Sequence, residues 1–133
     1  MTLRGAYSAL AVLHLGHYYG DRQCKTREIA EGKNIPLKFL QQILATLVRE
    51  GLLVSVAGPK GAYSLSRSPE ELSLLDVIEA ADGSLEPAGC GVCEVECDWD
   101  GPCPLRDAWA RAREALVDSL ASTSFGDLQK TST

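Results

Sequence analysis

Four cysteines, Cys90, Cys93, Cys97 and Cys103, fall within fourteen residues of a 133-residue chain. A disulfide framework spreads its cysteines so that they staple distant segments, whereas a tight cluster binds metal or carries redox chemistry. The pattern Cys-x2-Cys-x3-Cys-x5-Cys offers four soft thiolate donors, which suit tetrahedral zinc or an iron–sulfur cluster. A structural zinc site usually pairs two short Cys-x2-Cys hairpins, and only Cys90 and Cys93 form one here. On spacing alone zinc, an iron–sulfur cluster and a thiol switch all stay open. Glu94, Glu96, Asp98 and Asp100 lie among the cysteines. Their charge opposes thiolate formation unless a cation offsets it, which favours a bound metal. The fifth cysteine, Cys24, stands alone in a polar loop and reads as an inert thiol. His14 and His17 read as ordinary helix residues.

A second set of side chains has the chemistry of base reading. Thr26 can cap a short helix, Arg27 to Glu31, with Ile29 and Ala30 inward. Gly32-Lys33-Asn34 breaks it, and Pro36 suits the first turn of a new helix. Leu37, Leu40, Ile43, Leu44 and Leu47 then recur at three- and four-residue steps until Gly51 supplies a stop. This is a helix-turn-helix pattern, whose second helix enters the major groove. With Leu37, Leu40, Ile43 and Leu44 inward, Lys38, Gln41 and Gln42 point outward. Gln can bond adenine bidentately, and Lys donates to guanine or phosphate. Arg22, Lys25, Arg27, Lys33, Arg49 and Lys60 are candidate phosphate contacts.

The surrounding elements must position both sets. Residues 2–19 read as a largely buried first helix carrying Leu3, Tyr7, Leu10, Ala11, Leu13, Leu15 and Tyr18. After Gly51, the apolar run Leu52 to Val56, the turn Gly58-Pro59-Lys60-Gly61 and the alternating run Ala62 to Ser66 predict a β-hairpin, the wing of a winged helix. Ser73 caps a further helix, Leu74 to Ala81. Residues 84–103 hold the cysteines and have no helical period. From Pro104 to about Leu120 a last helix aligns Leu105, Trp109, Ala112, Leu116 and Leu120, a seam wide enough to pack a second copy. The expected fold is mainly α with a small β-hairpin wing: a winged helix-turn-helix over 1–83, a cluster-binding loop over 84–103, a dimerisation helix over 104–122 and a flexible tail over 123–133.

Composition fits this division. Apolar residues make up 45% and charged residues 23%, an ordinary globular balance. No run is long and apolar enough to span a membrane, and the start lacks the marks of a signal peptide, so a cytoplasmic protein is expected. The net charge of −5 averages two opposed halves. Residues 1–67 hold nine Lys/Arg and four Asp/Glu; residues 68–133 hold four and fourteen. The first half suits an anionic partner such as double-stranded DNA, and the second would be repelled by it. There is no nucleophile–base constellation, phosphate loop or cofactor fingerprint, so an enzyme is not expected. A winged-helix adaptor that binds protein instead of DNA is the other competing class.

Several stretches together resemble the bacterial IscR/NsrR-type transcription regulators. They are Tyr7 to Leu13, Glu28-Ile29-Ala30-Glu31, Ile35 to Leu40, Leu47 to Leu53, Gly58 to Leu65 and Leu74 to Glu79, in the family's order. The resemblance implies a homodimeric winged-helix protein holding one iron–sulfur cluster, 2Fe–2S or 4Fe–4S, per subunit. It also implies base reading by Lys38, Gln41 and Gln42. Family members space three cysteines five residues apart ahead of the dimer helix, and Cys97, Cys103 and Leu105-Arg106-Asp107-Ala108-Trp109 fit that frame. The leading cysteine would fall on Gly91, which Cys90 and Cys93 flank. The family's non-cysteine fourth ligand would fall on Arg106 or Ala6, neither of which can serve. The resemblance thus implies ligation by Cys90, Cys93, Cys97 and Cys103. In the wing, the family's usual Arg is Ala57, and the second Gly of its Gly-Gly pair is Ala62.

Overall fold

The computed structural model describes residues 3–56, 61–83 and 104–131. The elements run in the order α1 (Leu3–His17), β1 (Cys24–Lys25), α2 (Thr26–Lys33), α3 (Leu37–Arg49), β2 (Leu53–Val56), β3 (Ala62–Leu65), α4 (Leu74–Asp82), α5 (Pro104–Ser122) and α6 (Phe125–Thr131), with a 3-10 turn at Pro69–Glu71; all but β1, α6 and the 3-10 turn are predicted from the sequence. The three strands form one antiparallel sheet in the order β1-β3-β2. This mainly helical fold with a small sheet is the winged-helix architecture the sequence predicts.

One core holds the helices together. Val12 and Leu15 of α1, Ile29 of α2, Leu40, Leu44 and Leu47 of α3, Val77 of α4 and Phe125 of α6 are all fully or almost fully buried in it. α1 runs through the middle, packing on α2, α3, α4 and α6. Its buried side is narrower than expected, because Leu3 and Leu10 face solvent. Ser8 is buried instead, with its hydroxyl donating to the Arg4 carbonyl at 2.8 Å, so its burial leaves no unpaired polar group. Tyr7 of α1 meets Phe39 of α3 edge to face at 5.4 Å between ring centres.

The helix ends follow from local chemistry. α3 closes in a Schellman motif: the Gly51 N–H donates to the Val48 carbonyl and the Leu52 N–H to the Leu47 carbonyl. Gly51 adopts φ +82°, a region costly for a side chain. α4 opens with a capping box, in which Ser73 Oγ accepts the Asp76 N–H and the Asp76 carboxylate accepts the Ser73 N–H, both at 3.1 Å.

Two expectations are corrected. The polar loop over 21–25 contains a strand: Cys24 pairs with Tyr63 and Lys25 with Ala62, so the wing sheet has three strands. The tail expected to be flexible from 123 folds over 125–131 as α6. The Leu74 N–H donates to the Thr123 carbonyl at 2.8 Å, and the Phe125 N–H to the Leu72 carbonyl at 2.9 Å, stitching the chain's end to the segment before α4. A Cβ on Gly126 would lie 3.3 Å from the Glu70 Cα, so glycine lets α6 approach this closely.

Candidate nucleic-acid interface and metal-ligating groups

The turn between α2 and α3 is set by Asn34 in the left-handed conformation, φ 55° and ψ 48°, which Asn tolerates better than most residues. Its N–H and that of Ile35 both donate to the Ala30 carbonyl, closing α2. α2 starts one residue earlier than expected: Thr26 lies within the helix, and Lys25 takes the cap position without a side-chain bond. Ile35 is buried, so the turn is anchored from inside.

α3 buries Leu40, Ile43, Leu44 and Leu47. The opposite side exposes Lys38, Gln41, Gln42, Ala45 and Arg49. The three expected base readers therefore face solvent on the first turns of the second helix. Leu37, expected inward, is 38% exposed. It lines an open groove of about 540 Å³ with Lys25, Thr26, Arg27, Gln41, Gly61 and Tyr63. The groove gathers the start of α2, the start of α3 and the sheet around Gln41. Arg27 and Gln41 thus come together. Arg49 lies on the same stripe as Lys38, about 16 Å farther along the axis at 1.5 Å per residue. Lys60 falls outside the described residues.

Arg22, a candidate phosphate contact, is engaged elsewhere. Its guanidinium donates to both carboxylate oxygens of Glu28, at 2.9 and 2.7 Å, and sits 4.2 Å from the centre of the Tyr18 ring. The bidentate pair holds the Glu28 carboxyl at about 2 and raises the Arg22 pKa further. Glu28 Oε2 is also 3.5 Å from His14 Nε2. One ligand atom each from His14, Cys24 and Glu28 lies within 4.8 Å of the others. Burial pushes the Cys24 thiol up to about 12, helped by its hydrogen bond to Glu28. Burial lowers the His14 pKa against the pull of Glu28. Sequence spacing carries no hint of this cluster, because its members are spread over fifteen positions and meet only when β1 forms beside α1 and α2.

The second candidate centre, Cys90, Cys93, Cys97 and Cys103, lies outside the described residues, between α4 and α5. On the expected dimer seam of α5, Leu105, Trp109 and Leu116 are 63%, 49% and 52% exposed. Ala112 is exposed as well, and Leu120, at the edge of the stripe, is half-buried. None of the described helices is long and apolar enough to cross a membrane.

Comparison with known proteins agrees with this arrangement. The regulator IscR of Xenorhabdus nematophila is 29% identical over 130 residues, 98% of this chain and 79% of its own. The structure of CymR, the global cysteine regulator of Bacillus subtilis, superposes with a TM-score of 0.84 at 27% identity, covering 98% of this chain and 96% of that one. An oxidized form of Staphylococcus aureus CymR superposes at 0.78 with 29% identity, covering 96% and 94%. Residues 1–131 match the family described as Rrf2, iron-dependent transcriptional regulator. These relatives are transcriptional regulators, not enzymes. With the helix-turn-helix and three-stranded wing in place and the match spanning nearly the whole sequence, the chain belongs to the Rrf2 family of transcriptional regulators.

Proposed function

We propose that this regulator is a cytoplasmic homodimer that reads a specific DNA sequence through α3 and that an iron–sulfur cluster in each subunit modulates its binding. The observation that carries the reading is the placement of four cysteines within fourteen residues, in the segment joining the winged helix to α5. Their chemistry fits the group: four soft thiolates suit a cluster, and the four carboxylates between them favour a positively charged core. Lys38, Gln41 and Gln42 contact bases; Arg27, Arg49 and Lys60 contact phosphates; Leu105, Trp109, Ala112, Leu116 and Leu120 form the dimer seam. When bound, the cluster supplies sensitivity to redox state, nitric oxide or iron–sulfur supply. Ligation of all four cysteines fixes the shape of the connecting segment. That segment sets the separation of two α3 helices, which must match half-sites about 34 Å apart.

A second reading is a thiol- or zinc-based regulator using the same cysteines. It is favoured by the similarity to CymR, which has been solved in an oxidized form. Purification without oxygen, with iron, zinc and sulfide counted per chain and the visible spectrum recorded, separates the two. The cluster reading expects iron, sulfide and colour, lost when Ser replaces Cys97 or Cys103, and also when it replaces Cys90 or Cys93. Colourless protein carrying zinc and no sulfide overturns it.

A further inference from the structure

We infer that His14, Cys24 and Glu28 form a mononuclear site for a divalent cation of the zinc class, separate from the cysteine segment and independent of what that segment holds. The three residues come from α1, β1 and α2, and their ligand atoms already lie within 4.8 Å of one another. Two ligands on tetrahedral zinc, each about 2.1 Å from the metal, stand about 3.4 Å apart. The 3.5 Å between His14 Nε2 and Glu28 Oε2 matches that separation. A small inward shift of Cys24 Sγ completes a three-point nitrogen, sulfur and oxygen set, a donor mixture that zinc accepts.

The surroundings have the features of a binding site. Cys24 is fully buried and forms the base, while His14 and Glu28 line an opening to solvent. The cation enters from that side, and the fourth position is left to water. Glu28 is the hub. In the metal-free protein its carboxylate takes the Arg22 guanidinium, the His14 ring and the Cys24 thiol. On binding, Cys24 gives its thiol proton to solvent, and the metal takes the place of that proton. The Arg22 bond to Oε2 is exchanged for the metal, while the bond to Oε1 at 2.9 Å stays as an outer contact that orients the carboxylate. The Cys24 thiolate and the Glu28 carboxylate offset the two positive charges of the ion, and with Arg22 retained on Oε1 the cluster carries one net positive charge, which the opening to solvent accommodates. The high thiol pKa makes affinity pH-dependent, since the metal must displace a tightly held proton. The bound ion would clamp α1 and β1 to the first helix of the helix-turn-helix, beside Lys25 and Arg27.

Cobalt(II) is the probe. The chain has five cysteines, so the full-length variant with Ser at 90, 93, 97 and 103 keeps Cys24 as its one thiol. One equivalent of cobalt should give a thiolate-to-metal charge-transfer band and tetrahedral ligand-field bands. Cys24→Ser should abolish the charge-transfer band, and His14→Gln or Glu28→Gln should each weaken binding by about tenfold or more. No thiolate band, or one indifferent to His14→Gln and Glu28→Gln, overturns the site. If the four-Ser variant does not fold, cadmium NMR of the unmutated chain decides. A resonance from a one-sulfur site that Cys24→Ser alone removes supports the proposal, and its absence overturns it. Loss of the cluster reading leaves both results unchanged, so the two failures are distinguishable.

Discussion

Gln41 and Gln42 illustrate how far the neighbouring residues along the chain determine where a side chain ends up. Three- and four-residue apolar steps leave both on the free side of the helix, and both are exposed. Their environments nevertheless differ. Gln41 lines the groove with Arg27 and Tyr63, while Gln42 stands on the open stripe with Lys38 and Ala45. Gln41→Ala and Gln42→Ala should each relax sequence preference at one base position, costing about 1–3 kcal/mol for a lost bidentate contact. Binding measured on operators with single base changes checks this, and full specificity in both variants would contradict the assigned reading face. Arg22 shows the opposite limit. As a charge near the helix-turn-helix it reads as a phosphate contact, yet Glu28 is six residues away in sequence and accepts a bond from each of its terminal nitrogens. Periodicity predicts which side a residue faces, but it carries no information about which partner waits there. His14, Cys24 and Glu28 are illegible in the sequence for the same reason.

At the scale of elements, legibility follows from how local each element's determinants are. α3 and α4 are specified by apolar period, cap and stop within their own residues, and their predicted spans agree with those observed to within one residue. β1 is two residues long and exists because β3 presents an edge to it, so no local pattern marks it. α6 does carry a local signature, but not an apolar period. Ser124 and Asp127 repeat the Ser-x-x-Asp pattern that announces α4: Ser124 Oγ accepts the Asp127 N–H at 3.1 Å, and the Asp127 carboxylate accepts the Ser124 N–H at 3.4 Å. Short polar surroundings mask its apolar anchors, the fully buried Phe125 and the partly buried Leu128. Phe125→Ala should therefore cost about 3–5 kcal/mol, as for a fully buried aromatic, where a flexible tail would give no change. Chemical denaturation of the variant against the unmutated chain measures the difference.

For the whole molecule, the two opposed charges and the bare side of α5 point to the same assembly. The basic half carries the helix-turn-helix, and the acidic half carries α4, the cysteines and α5. A dimer built through α5, as proposed above, would keep the acidic halves together, away from the duplex, and turn two basic halves toward it. α5 has no fully buried residue along its length, and among the described residues α4 is its main neighbour. Its inner positions Ala110, Arg113 and Val117 are half-buried, whereas Leu105, Trp109 and Leu116 remain in solvent. Three large apolar side chains on one helix stripe form a contiguous exposed patch of the kind that marks an interface. A charge in the middle of that patch would be desolvated in the dimer but harmless in the monomer. Trp109→Asp should consequently leave the monomer folded while shifting sedimentation from dimer to monomer. DNA affinity should fall with it, because one α3 then reaches only one half-site. A variant that sediments as a dimer and binds a two-half-site duplex as tightly as the unmutated chain would place the seam elsewhere.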